Sequence, residues 1–157
     1  MQPYVTTAGE LCLQREQSVP RPLDEVFTFF SRAENLELLT PPWLRFQIIT
    51  PLPIAMGVGT LIEYRLRVHG VPLRWMSRID EWQENVGFVD RQLRGPYRSW
   101  LHRHEFERDG ERTLVRDSVR YSLPLGALGR ICGAPLVRRD LDRVFAFRGE
   151  AVARHFG

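Results

Sequence analysis

Residues 94–106 read RGPYRSWLHRHEF. In an extended strand successive side chains point to opposite faces, so Trp100, His102, His104 and Phe106 share one face and Leu101, Arg103 and Glu105 the other. Two histidines therefore lie between two large aromatics on the face that turns inward. The run before it, FVDRQLRG (88–95), ends at a Gly95-Pro96 turn and puts Phe88, Asp90 and Gln92 on the inward side. Asp109-Gly110 is a strong hairpin signal and leads into RTLVRDSVRYSLP (112–124). One face of that run carries Val115, Asp117, Val119 and Tyr121. The other carries Leu114 and Arg116, so its facing is open.

Working upstream, PLRWMSRIDEWQE (72–84) presents Leu73, Trp75, Ser77 and Ile79 inward. His69-Gly70 separates it from TLIEYRLRV (60–68), whose Thr60, Ile62, Tyr64, Leu66 and Val68 form one face. LRFQIIT (44–50) and LCLQREQSV (11–19) read as further strands. Between those two, Pro22 and Asp24 start a short helix with Val26, Phe27, Phe29 and Phe30 as its apolar side. AENLELLT (33–40) forms a second short helix, stopped by Pro41 and Pro42. Downstream, the Gly-rich passage LGALGRICGAP precedes a long helix predicted to open near Pro135 and run to about Phe156. Val137, Leu141, Val144, Phe145 and Val152 form its apolar stripe, with Arg148 in the middle and His155 near the same line. The expected fold is α+β: seven antiparallel strands in one sheet wrapped around the C-terminal helix, with two short helices between strands one and two. A twisted sheet gripping a helix leaves a space for a ligand.

The chain has 157 residues, the size of a single domain, and 1–157 is read as one unit. Its net charge is +3, and all 22 basic residues are Arg. Arg and acidic residues interleave, as in RRDLDR, which reads as solvated faces rather than the clustered basic surface a nucleic acid needs. Cys12 and Cys132 are too few for a disulfide framework and read as thiols in a reducing compartment. The N-terminal MQPYVTTAGE lacks the pattern of a secretory signal, and no apolar run is long enough to span a bilayer. A cytoplasmic protein is expected.

The strings LTPPWLRFQI, GTLIEYRLRVHGVPLRW, FVDRQLRGPYRSWLHRHEF and VRDSVRYSLPLG resemble a bacterial subfamily of small ligand-binding proteins. That subfamily lies in the START-like (SRPBCC) superfamily, which includes Bet v 1-like allergens, polyketide cyclases and lipid-transfer domains. The resemblance runs from about Leu11 to Arg148 and implies a helix-grip fold with a hydrophobic cavity. Such modules occur alone or fused to sugar-nucleotide epimerase-like domains. Gly57-Val58-Gly59 lacks the third glycine of a dinucleotide fingerprint and precedes a strand, so NAD binding is rejected and no cofactor is expected.

The inferred interior mixes walls and charge. Trp75, Phe88, Trp100, Phe106 and Tyr121 would form the walls, and Arg148, His102, His104, Asp90, Asp117 and Gln92 a polar end. Charged groups buried there must pair with each other or with a ligand. Cross-strand neighbours bring Asp90 or Asp117 to a histidine, and the Arg148 fork suits a carboxylate of the protein or of a ligand. Three readings stand. The polar links brace the sheet on the helix. They orient a lipid- or polyketide-like ligand. Or a His–Asp pair, His102 or His104 with Asp117, moves protons in a cyclase or dehydratase reaction. His102-x-His104 would be half of a metal site only with Asp90 or Asp117 added, and no metal is expected. No nucleophile motif supports Ser77, which reads as a small wall residue. Trp43, Leu52, Ile54 and Met56 are apolar loop residues expected at the cavity entrance; the Trp43/Ile54/Met56 region would also serve a weak homodimer or partner contact, and a further alternative is an interaction module that uses this loop and has a vestigial cavity.

Overall fold

Alternating apolar positions bury one face of each strand, and the turns between them set the order of pairing. The structure, a computed structural model, describes residues 9–157 and the backbone of residues 4–5. Eight strands form one antiparallel sheet: β1 (Tyr4–Val5), β2 (Leu11–Val19), β3 (Gln47–Ile48), β4 (Leu61–Val68), β5 (Val71–Gln83), β6 (Gly87–Arg94), β7 (Ser99–Asp109) and β8 (Arg112–Ser122). Their order across the sheet is β1-β2-β8-β7-β6-β5-β4-β3. The seven expected strands are present, and two-residue β1 adds an eighth at the β2 edge. His69 and Gly70 both have positive φ, 50° and 79°, which is the hairpin geometry whose twist matches paired strands.

Helices α1 (Leu23–Phe30) and α2 (Leu36–Leu39) follow β2, and α3 (Gly126–Phe156) closes the chain. α1 buries Val26, Phe27, Phe29 and Phe30 against Phe106, Val115, Val152 and Phe156. A second apolar cluster gathers Leu11, Leu13, Trp75, Trp100, Val119, Tyr121, Leu141 and Phe145. Removing residues such as Leu141, Phe145 and Val152 from water contributes about 1.5–3 kcal/mol each. β8 turns the Val115 to Tyr121 face inward, which settles its orientation.

Two boundaries differ from expectation. Residues 44–50 do not form a full strand. Pro42–Leu44 form a 3-10 turn, and Arg45 follows in the left-handed region at φ 46°, leaving only Gln47–Ile48 to pair with β4. α3 opens at Gly126, nine residues before Pro135, which lies inside it. Proline removes the hydrogen bond to the carbonyl four residues earlier. That residue, Ile131, is exposed. Glycines 129 and 133 lie on the cavity side. A Cβ at Gly129 would collide with the Pro124 carbonyl, so glycine is needed where α3 leaves β8.

Strand parity also changes within β5. A register shift between Ile79 and Glu81 brings Trp82, rather than Glu81, to the inner face. Its ring stacks on Phe88 at 5.2 Å and meets Phe27 at 5.6 Å. A bulge inserts one unpaired residue, and this shifts alternation beyond it to the other face.

Candidate functional site

A cavity of about 1000 Å³ lies between the sheet and α3. Ile62, Tyr64 and Leu66 of β4, Trp75 of β5 and Trp100 of β7 face Val137, Leu141 and Phe145 of α3 across it. Tyr64 stacks on Trp75 at 5.9 Å and Trp75 meets Trp100 edge-on at 5.2 Å, so the sheet side is a continuous aromatic wall. Trp75 Nε1 donates to Ser77 Oγ at 2.9 Å, which satisfies its polar edge within the wall. Trp43, Gly70, Leu125 and Leu128 are both lining and exposed, and mark where the cavity reaches the surface.

The polar end sits between the two apolar clusters because β7 carries His102 and His104 between Trp100 and Phe106. The imidazoles are buried and stacked, with centroids 3.7 Å apart, and Phe88 stacks on the other face of His104 at 4.2 Å. Register places His102 opposite Val119 and Asp90, and His104 opposite Asp117 and Phe88. Each histidine reaches diagonally to a carboxylate: His102 Nε2 bonds Asp117 Oδ1 at 2.8 Å, and His104 Nε2 bonds Asp90 Oδ2 at 2.8 Å. His104 Nδ1 lies 3.2 Å from Asp117 Oδ1 without the alignment of a hydrogen bond, so that contact is electrostatic. Arg148 Nη2 lies 3.8 Å from the same oxygen. Gly87 lets β6 approach this point: a Cβ there would collide with the His104 carbonyl.

The surroundings separate the protonation of the two rings. Burial opposes charge on His104, but its contacts with Asp117 and Asp90 together outweigh it and raise its pKa. Burial lowers the pKa of His102, and the charge of His104 lowers it further; the Asp117 hydrogen bond only partly compensates. Burial works against the Asp117 carboxylate, yet Arg148 and the two histidines hold it well below the usual carboxylate range. Asp90 shifts the same way: the His104 bond and nearby cations overcome burial. Burial, reinforced by the Asp90 charge, pushes Tyr64 upward and keeps its phenol neutral. The surroundings therefore favour charge on His104, which lies between two carboxylates, and disfavour it on His102.

Asp90, His102 and His104 offer ligand atoms within 4.8 Å of one another. The rings are stacked and only 27° from parallel, an arrangement that does not aim both at one ion. Both Nε2 atoms already face carboxylates, and a guanidinium stands nearby. This geometry favours proton sharing over metal ligation.

Of the residues singled out from sequence, Trp75, Phe88, Asp90, Trp100, His102, His104 and Arg148 line the cavity. Four others do not, which corrects the expected lining. Gln92 turns aside and clasps the chain at Tyr97, donating to its carbonyl at 2.8 Å and accepting from its amide at 3.2 Å. Phe106 packs on Phe27 at 5.2 Å within the α1 cluster. Tyr121 is fully buried beneath Tyr97. Asp117 lies behind the histidines and borders a side pocket of about 130 Å³ with Arg15, Gln17 and Arg148. At the entrance Trp43 and Met56 line the cavity, whereas Leu52 and Ile54 do not. Trp43 packs edge-on to Phe147 at 5.9 Å, with the Arg143 guanidinium 5.0 Å from its ring. His155, exposed, stacks on Phe29 at 4.2 Å outside the site. Cys12 is buried and Cys132 exposed, both as free thiols. Tyr97 and Phe46, both cavity-lining, come from irregular segments where no alternation marks a facing.

Among the described residues no helix is long and apolar enough to cross a membrane. No curated protein matches the sequence. Solved structures do match it. The ZhuI aromatase/cyclase of Streptomyces sp. R1128 aligns over 93% of each chain at 16% identity, with a TM-score of 0.74. A Thermus thermophilus protein, TTHA0849, covers 93% of this chain and 99% of its own at 21% identity, TM-score 0.64. A nucleoside-diphosphate sugar epimerase of Corynebacterium glutamicum matches 90% of this chain over only 28% of its own length, at 24% identity and TM-score 0.63. At these identities the likeness establishes the helix-grip fold. The profile of one family matches residues 19–146, from the end of β2 to the middle of α3. This chain belongs to the polyketide cyclase / dehydrase and lipid transport family.

Proposed function

We propose that the protein binds a hydrophobic or amphipathic small molecule, of lipid or polyketide type, between the sheet and α3. The observation that carries this reading is the cavity of about 1000 Å³, walled by aromatics and ended by a buried charged cluster. Ligand pockets are typically apolar cavities of about 300–1,000 Å³ with a few placed polar groups. A cavity kept open at this size also weighs against a purely structural role for the His–Asp links and against a vestigial hollow in an interaction module. The test is native mass spectrometry of protein purified from its own host. The expected result is an adduct of small-molecule mass that disappears on denaturation. Protein with no adduct that also fails to bind apolar fluorescent probes would refute the reading.

One observation supports a catalytic reading beside it. His102 borders the cavity, its burial disfavours charge, and its Nε2 is backed by Asp117, which leaves Nδ1 to serve as a general base. In a cyclase- or dehydratase-type reaction it would take a proton from a ligand carbon or hydroxyl. His102→Gln would then abolish turnover of a ligand identified by co-purification, with the variant shown to be folded by circular dichroism.

A further inference from the structure

Arg148 is the unusual member of the cluster. It interrupts the apolar stripe of α3, its side chain is only 13% exposed, and its Nε is buried without a hydrogen-bond partner. Its guanidinium has an ion-pair contact with Asp117 at 3.8 Å and lies 5.4 Å from the Phe30 ring. Neither contact supplies a hydrogen bond, although a guanidinium carries five donors. Buried donors left unmatched are costly, so such a group calls for an acceptor. On the same Asp117 oxygen sits His102, whose Nε2 is committed there and whose Nδ1 has no partner among the described residues. The cavity end therefore offers, on two residues that share Asp117, a planar fork of donors and a ring nitrogen without a partner.

We infer that the ligand carries a terminal carboxylic acid, with one oxygen on the Arg148 guanidinium and the other sharing its proton with His102 Nδ1. This rests on the cavity-binding reading and narrows it to one chemical class. Charge supports it. Around His102 stand Asp90 on β6, His104 on β7, Asp117 on β8 and Arg148 on α3, with neutral Tyr64 on β4 near Asp90 and, opposite Asp117 on β2, Arg15, whose guanidinium bonds the Asp142 carbonyl. The two carboxylates are already met by Arg148 and by the two imidazoles, of which the surroundings favour charge on His104. An acid entering with its proton adds no net charge, because the proton rests either on the carboxyl or on His102. A bare carboxylate would leave one uncompensated buried negative charge. A ligand present in solution as the anion thus takes up a proton when it binds.

The experiment compares 11-(dansylamino)undecanoic acid with its methyl ester by fluorescence titration. Wild-type protein is expected to bind the acid about tenfold or more tightly than the ester, the scale of a charge-assisted contact. Arg148→Met is expected to lose that preference while binding the ester within about twofold of wild type. Calorimetry in two buffers of different ionisation enthalpy should show proton uptake with the acid and none with the ester. Equal wild-type affinity for acid and ester would overturn the carboxylic-acid assignment with the cavity reading intact, and needs no variant. Binding of neither probe would refute the cavity reading itself. An acid preference that survives in folded Arg148→Met, or acid binding without proton uptake, would also overturn the assignment.

Discussion

His104 lies between Asp90 and Asp117, whereas His102 bonds only Asp117 and has the charge of His104 stacked on it. Two identical side chains two residues apart therefore titrate in opposite directions, and both matter for stability. The pKa of His104 is raised in the folded state. Its protonated form stabilises the fold fully below the ordinary histidine value of about 6.5, and that contribution is lost as pH rises through the raised value. His102 is lowered. The folded state then binds fewer protons than the unfolded chain, so stability falls as pH drops from about 6.5 towards the lowered value. Asp117, held well down, contributes above the ordinary carboxylate range and is lost only in strong acid. The cluster is thus most stabilising near pH ~6.5. Comparing thermal unfolding of wild type and His104→Gln between about pH 6 and pH 9 should show the wild-type advantage shrinking as pH rises. A constant difference would mean that His104 is not held as imidazolium.

α3 joins two unlike halves. From Leu141 onward it buries Leu141, Phe145, Ala151, Val152 and Phe156. Before Pro135 it has glycines 126, 129 and 133, and its Leu128 and Ile131 are exposed. The missing proline donor and the scarcity of buried apolar area leave the first half weakly held. Amide hydrogen exchange should be fast over residues 127–134 and slow over 141–156, read by mass spectrometry of peptic fragments. Pro135→Ala restores the hydrogen bond to Ile131 and should raise the unfolding free energy by about 1–3 kcal/mol in urea titration. Uniform protection along the helix would show that cavity-side packing, rather than the backbone ladder, holds the first half. The proline and glycines are what placed the predicted start near 135: each weakens a helix locally, yet the helix runs back to Gly126, beside the end of β8.

At the scale of the molecule, the sheet and α3 form two sides of one container, and the two cysteines report on it from opposite positions. Cys132 is exposed and borders the cavity, while Cys12 is 3% exposed beside β8. A thiol reagent such as Ellman's should label one cysteine rapidly in native protein and the second only on unfolding; two fast thiols would mean that the β2 edge opens readily. The alternation of β4 to β8 and the apolar stripe of α3 were legible as local periodicity, because a strand or helix must turn its apolar side to a common core whatever the rest of the chain does. That determined the antiparallel sheet, the gripped helix, and the inward placement of His102, His104, Asp90 and Arg148. Local pattern carries no information about how side chains divide an interior among themselves. Gln92 shares parity with Asp90 yet folds back onto Tyr97, and Phe106 and Tyr121 share a face with cavity residues yet fill the core. The β5 bulge that turns Trp82 inward has no local signature either. Only the tertiary structure decided which inward residues meet open space, which carboxylate each histidine takes, and that Arg148 is buried with donors to spare, because those outcomes depend on the curvature of the sheet and its distance from α3.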